Sequence, residues 1–495
     1  MKYKSTRGDR EDILSAAAII RGLAPDRGLY VPERIPSLPC RITDLTGLPY
    51  KTLAGKILGA FLTDFTEEEL LFCATNAYDS KFDTKDIAPV VKTDKAYFLE
   101  LWHGSTAAFK DMALSFLPWL LKAALQKEGE DKKIVILTAT SGDTGKAALS
   151  GFADVEGTEI IVFYPKDGVS VVQERQMITQ KGNNVHVYGI RGNFDEAQRG
   201  VKTVFSDSTF SKELAAQGYR LSSANSINIG RLVPQIAYYV YAYVELLARG
   251  ELAEGEKINI CVPTGNFGNI LSAWYAKQMG LPVSRLICAS NENKILADFI
   301  NTGFYDTRRE FILTSSPSMD ILVSSNLERL LWHLSGGDSR QVLELMTSLE
   351  EGGVYDAGEG MKTELREFYG GYAGMDISHS ALAKLWHEEK YLIDTHTAVA
   401  YAVYLDYREK TGDGTKTLIA STASPYKFAG SVAGAIGVDP GGDEFKTIEN
   451  LSKATGLKAP DSLRTLNILP IQHDSVIEKN DIKSAVENAL KYNNK

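Results

Sequence analysis

Between about residues 132 and 302 the chain alternates short β-branched runs with longer stretches whose apolar residues recur every three or four positions. Few folds accept that rhythm. The runs at 133–137, 160–164, 185–188, 258–262 and 286–289 read as strands, and 169–181, 194–206 and 268–279 read as helices. Strand, loop and helix in repetition give right-handed βαβ units, hence an α/β fold with parallel twisted sheets and helices on both faces. In such sheets ligands gather at the carboxyl ends of the strands. The 495 residues suffice for several domains. Residues 1–95 read as a helical, polar N-terminal lobe without a strand series. Residues 96–235 read as a smaller α/β domain and 236–440 as a larger one. A mostly helical insertion at about 303–392 breaks the rhythm, and a last βα element resumes it at 416–436. Residues 441–495 read as an acidic, mixed tail.

Charge and apolar content narrow the function. Lysine and arginine number 54 against 63 aspartates and glutamates, a net charge of −9 that leaves no electrostatic footprint for nucleic acid or anionic lipid. No stretch approaches the ~18 uncharged apolar residues of a membrane span, and the first residues lack the apolar core of a signal peptide. The expectation is a cytoplasmic protein with neither nucleic-acid nor membrane partners. Cys40, Cys73, Cys261 and Cys288 are widely spaced and form no Cys-x-x-Cys pair, so no disulfide scaffold and no metal site is expected.

Several segments carry residues fit for chemistry. Leu101-Trp-His-Gly-Ser-Thr-Ala-Ala-Phe-Lys-Asp111 turns from a loop into a helix capped by Ser105 or Thr106, placing Lys110 in its first two turns among small and apolar neighbours. A lysine held there is desolvated and suited to Schiff-base formation; the alternative is an exposed helix lysine. Thr138-Ala-Thr-Ser-Gly-Asp-Thr-Gly145 is either an anion cradle at a helix N-terminus or an ordinary turn capped by Asp143 or Thr144. It is not a nucleotide P-loop, because Thr140 and Ala147 break that pattern. Pro263-Thr-Gly-Asn-Phe-Gly-Asn269 is a second cradle, in which the amides of Gly265 to Asn269 bind a phosphate without a cationic side chain. The polar run 222–233 offers Asn225, Ser226, Asn228 and Arg231 as donors for a phosphate ester, unless Arg231 pairs with a local acid. Ser421, Thr422 and Ser424 end the last strand with hydroxyls that either meet a ring nitrogen or cap the next helix.

The order of these motifs resembles the threonine synthase family, pyridoxal-phosphate enzymes of the tryptophan synthase β-subunit fold: an early lysine, Ser-Gly-Asp-Thr-Gly, Gly-Asn-Phe-Gly-Asn, then Thr-Ala-x-Pro. Tyr3-Lys-Ser-Thr-Arg-Gly8, Gly28-Leu-Tyr-Val-Pro-Glu33 and Asp394-Thr-His-Thr-Ala-Val399 extend the resemblance. It implies that pyridoxal 5'-phosphate is the cofactor and that Lys110 is the lysine that holds it as an aldimine. It implies further that Gly265, Asn266, Phe267, Gly268 and Asn269 bind its phosphate and that Thr422 faces its pyridine nitrogen. Ser105, Thr106, Ser141, Gly142, Asp143 and Thr144 resemble the loops that handle the substrate's amino-acid end, and Asn228 with Arg231 resembles a substrate-phosphate clamp. The chain departs from the family pattern at Ser105, Thr395, Ser424 and Lys146, where proline, proline, histidine and a small residue are usual.

The implied reaction converts O-phospho-L-homoserine and water to L-threonine and phosphate by γ-elimination and β-addition. The alternatives are a related phospho-lyase that yields 2-oxobutyrate and a non-catalytic relative. The expected partner is a small phosphorylated amino acid, and the expected state is a monomer or weak homodimer.

Overall fold

The computed structural model describes residues 1–9, 11–140 and 142–492. In chain order the strands are β1 (Tyr3–Ser5), β2 (Tyr30–Pro32), β3 (Val90–Lys92), β4 (Tyr97–Glu100), β5 (Lys133–Ala139), β6 (Thr158–Pro165), β7 (Val185–Arg191) and β8 (Tyr219–Ser222). They continue as β9 (Ile258–Pro263), β10 (Val283–Ser290), β11 (Phe304–Asp306), β12 (Val354–Asp356), β13 (Phe368–Tyr372), β14 (Thr417–Ser421) and β15 (Val476–Glu478). A five-stranded sheet runs β15-β7-β6-β5-β8 and is parallel throughout. A six-stranded sheet runs β13-β10-β9-β14-β4-β3 and is parallel except for the edge strand β3. Two short antiparallel pairs, β1 with β2 and β11 with β12, stand apart. Every residue of β6 is buried, as a central strand covered on both faces requires, and so is every residue of β9 and β14.

The five expected strands form, and four further features were hidden in the sequence. β4 belongs to the six-stranded sheet, between β14 and β3, although residues 96–235 read as one unit with the smaller sheet. β13 lies inside the supposed helical insertion and forms the far edge of the large sheet. Its sequence, Phe-Tyr-Gly-Gly-Tyr, has no β-branched residue to announce it. Gly370 is needed there, since a Cβ would lie 2.6 Å from the carbonyl oxygen of Ala297. The stretch 441–492, read as an acidic, mixed tail, is built into the fold. β15 extends the small sheet beside β7, and Ile482, Val486, Ala489 and Leu490 of the last helix pack with Val135, Leu137, Ile161 and Phe163. The N-terminal lobe carries strands as well as helices, and Tyr3, Leu53, Ile57 and Phe61 share one core with the long helix Ile229–Ala248.

Because β4, β9, β10 and β14 run parallel, their carboxyl ends deliver four loops to one edge of the large sheet: 101–109, 264–267, 291–294 and 422–424. The turn after β5 brings Asp143 from the small sheet to the same place.

Candidate active site

The loop after β4 is shaped by contacts that the sequence reading did not anticipate. The helix carrying Lys110 begins at Lys110 itself and ends at Leu114, not at a cap on Ser105 or Thr106. Ala107 takes a left-handed conformation with φ 56°, and Ala108 forms an isolated antiparallel bridge with Ala423, so the chain is not helical before Phe109. The two expected capping groups are spent elsewhere. Ser105 Oγ lies 2.6 Å from Ser150 Oγ, and Thr106 donates through N and Oγ1 to the carboxylate of Asp111 at 2.8 and 2.6 Å. Phe109 N donates to Thr422 O at 2.8 Å, which docks the loop on the end of β14.

Lys110 is desolvated, with 12% of its side chain exposed. Its Nζ donates to Ser318 Oγ at 3.2 Å and to Asp143 Oδ2 at 3.5 Å, and stands 4.9 Å from the Phe109 ring. Burial pushes the ammonium down from the ordinary lysine value; Asp143 opposes this, while Lys427 and Arg231 reinforce it. Against its own burial, Lys427 and then Lys110 hold the Asp143 carboxyl well below the usual carboxylate range. Lys427 is wholly buried, and donates to Asp143 Oδ1 at 2.9 Å and to Thr106 O at 2.8 Å. Gln173 completes the shell of Asp143 at 3.4 Å. Its helix starts with a capping box in which Ser170 Oγ accepts from Gln173 N, and this aims the amide side chain inward. Lys146 is also buried rather than solvent-facing, bonded to Gln180 Oε1, and burial pushes it down to about 7.

The two glycine-rich turns are built differently. In the first, Thr140 Oγ1 accepts from both Gly142 N and Gly145 N at 3.0 Å, so Thr140 rather than Asp143 or Thr144 ties the turn. Thr144 is half-buried, and Ser141 lies outside the described residues. In the second, Phe267 has φ 65° and the helix starts at Gly268. Among the described residues the backbone N–H groups of Gly265 to Asn269 meet no protein acceptor. Their carbonyls and side chains are held instead. Ser324 Oγ donates to Gly265 O, Asn326 donates to Asn266 O, and Asn269 Oδ1 accepts from the hydroxyls of Tyr238 and Tyr239. Among the described residues, Asn269 Nδ2 is buried without a partner.

Arg231 sits in the first turn of the helix Ile229–Ala248 and is 4% exposed. No carboxylate pairs with it among the described residues: Nη1 donates to Ala224 O at 2.9 Å and buried Nε has no partner. Burial alone pushes the guanidinium down to about 10. Asn228 caps the same helix, accepting from Gly230 N at 2.8 Å while donating to Ile19 O at 3.0 Å, so its side chain is fully engaged by backbone. Asn225 and Ser226 remain on the loop before it.

Three residues enter that the sequence reading gave no role. Ser318 touches Lys110 and Asp143, Lys427 neutralises Asp143, and His396 accepts from Ser318 N at 3.1 Å. His396 lies in the segment 394–399, which resembles a family motif, and Lys427 follows the hydroxyl run 421–424; nothing in the sequence points to Ser318. Thr395 donates to Ser315 O, and buried Ser424 caps the turn 425–428. A cavity of about 290 Å³ is lined by Lys427, Gln173 and Pro317.

Three family profiles match the chain: threonine synthase N terminus at residues 2–78, pyridoxal-phosphate dependent enzyme at 85–357, and threonine synthase C-terminal at 397–464. The chain is 38% identical over 436 residues to threonine synthase of Pseudomonas aeruginosa, covering 87% of this chain and 90% of that protein. It is 36% identical over 483 residues to threonine synthase-like 1 of Homo sapiens, where it matches 95% of itself but spans only 63% of that protein. Among solved structures, the PLP-bound threonine synthase of Brucella melitensis superposes with a TM-score of 0.88 at 34% identity, covering 99% of both chains.

Proposed function

The chain belongs to the threonine synthase family of pyridoxal-phosphate-dependent enzymes, and from that premise we propose that it converts O-phospho-L-homoserine and water to L-threonine and inorganic phosphate. One observation carries the reading: a buried lysine, its ammonium depressed chiefly by desolvation, shares the site with two separate anion-binding features, the amides of 265–269 and the guanidinium of Arg231, which meets no carboxylate among the described residues. A phosphorylated cofactor and a phosphorylated substrate need both.

The residues present fit pyridoxal 5'-phosphate. The Gly265–Asn269 amides point from a helix N-terminus, where a phosphate is favoured by the dipole as well as by hydrogen bonds. A Cβ on Gly265 would lie 2.4 Å from Ser318 O, so only backbone fits there. Asn269 Nδ2 offers a further buried donor. Lys110 would hold the cofactor, and Thr422, with its backbone docked to Phe109 and Thr397, would offer its hydroxyl to the ring nitrogen. Bound there, the cofactor supplies an electron sink for the charge left when the substrate Cα loses its proton.

The chain supplies the rest. Lys110, made less basic by burial, is the base that takes the Cα proton, and Asp143 receives the resulting ammonium as a partner already ionised. Arg231 binds the substrate phosphate and stabilises it as it departs from the γ carbon. The phosphate leaves with the C–O electron pair as a proton is lost from the β carbon, a proton is gained at the γ carbon, water adds its hydroxyl to the β carbon while its own proton goes to the phosphate, and Lys110 returns the Cα proton. We place the protein in the cytoplasm, a reading supported by its four free cysteines, and expect a monomer or weak homodimer with no nucleic-acid partner.

The test is an absorbance spectrum of the purified protein before and after O-phospho-L-homoserine, with threonine, phosphate and 2-oxobutyrate assayed together. A cofactor band that disappears in Lys110→Ala, with threonine and phosphate formed in equal amounts, supports the reading. 2-Oxobutyrate and ammonia without threonine point to a phospho-lyase, and a protein with neither band nor turnover is a non-catalytic relative. Arg231→Ala should raise KM by about tenfold to a hundredfold, the worth of a charge-assisted hydrogen-bond pair, and divert product toward 2-oxobutyrate; unchanged kinetics would remove Arg231 from the site.

A further inference from the structure

The segment 314–320 reaches Lys110 from near the start of the 303–392 stretch, and its fold is over-determined. Asp320 accepts from Thr314 N at 3.0 Å, Thr314 Oγ1 at 2.8 Å, Asn291 Nδ2 at 2.7 Å and Asn293 Nδ2 at 3.1 Å. Thr395 Oγ1 donates to Ser315 O at 2.7 Å. Ser318 N donates to His396 Nε2 at 3.1 Å. This last bond fixes the imidazole. A backbone amide can only donate, so Nε2 carries no proton, and Nδ1 donates to Asp394 Oδ2 at 2.8 Å. Asp394 is wholly buried and is itself held by the amides of His396 and Thr397. On its other side the Ser318 carbonyl presses on Gly265. The outcome is a hydroxyl 3.2 Å from Lys110 Nζ and 3.3 Å from Asp143 Oδ2.

We infer that Ser318 is a catalytic residue: its hydroxyl accepts one N–H of Lys110 and donates its own proton to Asp143, which fixes the direction of the lysine's lone pair. His396 and Asp394 are positioning residues that act through the Ser318 backbone. The inference rests on the threonine synthase reading of this site. A neutral amine has two N–H groups and one lone pair. With Ser318 Oγ and Asp143 Oδ2 each taking one N–H, the lone pair has a single direction left, which is the orientation a base needs. When the substrate Cα–H bond breaks, its electron pair stays on the substrate, the proton bonds to Lys110 nitrogen, and the new positive charge is met by acceptors already in place. The charged groups facing that nitrogen are Asp143, Lys427 and Arg231. Asp143 is the only anion among them, so the serine oxygen matters more than it would beside several carboxylates.

Two readouts test this on the full chain. In the holoenzyme, Ser318→Ala should lower kcat by about 10- to 100-fold, the span of a lost proton-transfer arrangement, with KM within about threefold because substrate binding is untouched. In the full chain stripped of cofactor, labelling of Lys110 by trinitrobenzenesulfonate is followed against pH by mass spectrometry. Its midpoint should move down by about 0.5 to 1 unit, because the ammonium loses an acceptor. Ser318→Thr restores both readouts, and His396→Ala shifts both in the direction of Ser318→Ala. Ser318→Cys, close in volume and a poor acceptor, repeats the measurement if the alanine variant melts early by circular dichroism. Unchanged kcat and an unmoved labelling midpoint overturn the inference, as does a kcat loss with an unmoved midpoint that Ser318→Thr does not repair. If the wild type makes no threonine, the functional reading fails, while the labelling midpoint still decides the Ser318–Lys110 contact.

Discussion

Two strand-to-helix turns face each other across this site, one after β5 and one after β9, and they use the same local device for opposite ends. Both are rich in glycine and both open a helix. The turn after β5 closes on itself, its amides tied to Thr140, and sends a carboxylate, Asp143, into a cluster of buried cations. The turn after β9 keeps its amides open, carries no charged side chain, and ties down only its carbonyls and asparagines. An anion is drawn to the second turn by dipoles alone, whereas the first presents a negative charge of its own and organises cations. A glycine-rich turn thus does not announce a phosphate; where its N–H groups go decides.

The comparison can be broken at its strongest point with Asp143→Asn. That change leaves Lys427 buried without its carboxylate, so we expect about 3 kcal/mol of lost stability in denaturant unfolding, and a loss of kcat of about a hundredfold or more. A variant as stable and active as the wild type would show that the first turn is not organised by charge. Gly265→Ala is the corresponding challenge to the second turn. With a Cβ 2.4 Å from Ser318 O the backbone must shift, and cofactor Kd, measured by dialysis and absorbance, should rise about tenfold to a hundredfold. Gly437→Ala, at a positive φ of 75° with nothing near its Cβ, is the control that strains backbone without touching the cradle. Asn269→Asp sharpens the contrast by giving the second turn the charge that the first one has. Cofactor affinity should fall by about tenfold and the loss should shrink at high salt.

An effect on stability alone is expected in the loop that delivers Lys110. Against the burial that lowers it, bonds to Asp83 and Glu100 push His103 up to about 9 from the model-compound value of 6.5. The folded-state pKa is raised, so this clamp contributes its full stability below about pH 6.5 and loses it as pH climbs through about 9. Its size is about 2 kcal/mol after allowing for screening of partly exposed Asp83. Melting curves of wild type and His103→Gln should differ at pH 6 and converge near pH 10; a constant difference would mean the clamp acts by packing rather than by charge.

Sequence legibility followed locality. The strands at 133–137, 160–164 and 258–262 were readable because each is a short apolar run bounded by turn residues, and the glycine-rich loops because glycine and asparagine are spent where the backbone must bend. β13 is unreadable because two of its five residues are glycines, Gly370 for its close approach to Ala297 and Gly371 for its approach to Val403, neither for strand propensity. The start of the Lys110 helix is misplaced because Ala107 adopts a left-handed conformation that no alanine advertises, next to the bridge that Ala108 makes with Ala423 more than 300 residues away. Arg231 was ambiguous for a related reason. Whether an arginine meets an acid is a statement about the fold, and among the described residues it meets none.

By itself the sequence determined the α/β class, the alternation that puts loops at one edge of a parallel sheet, the candidate lysine and the two glycine-rich turns, because these rest on propensity, periodicity and backbone freedom within a few residues. The tertiary structure alone decided which charges share a site. Asp143 comes from the small sheet, Lys110 and Lys427 from loops of the large one, Arg231 from a helix start and Ser318 from the supposed insertion. Their pKa shifts and hydrogen bonds arise from burial and from contacts across 30 to more than 280 residues of chain. Coulombic and desolvation energies depend on distance in space, and no local pattern encodes that distance.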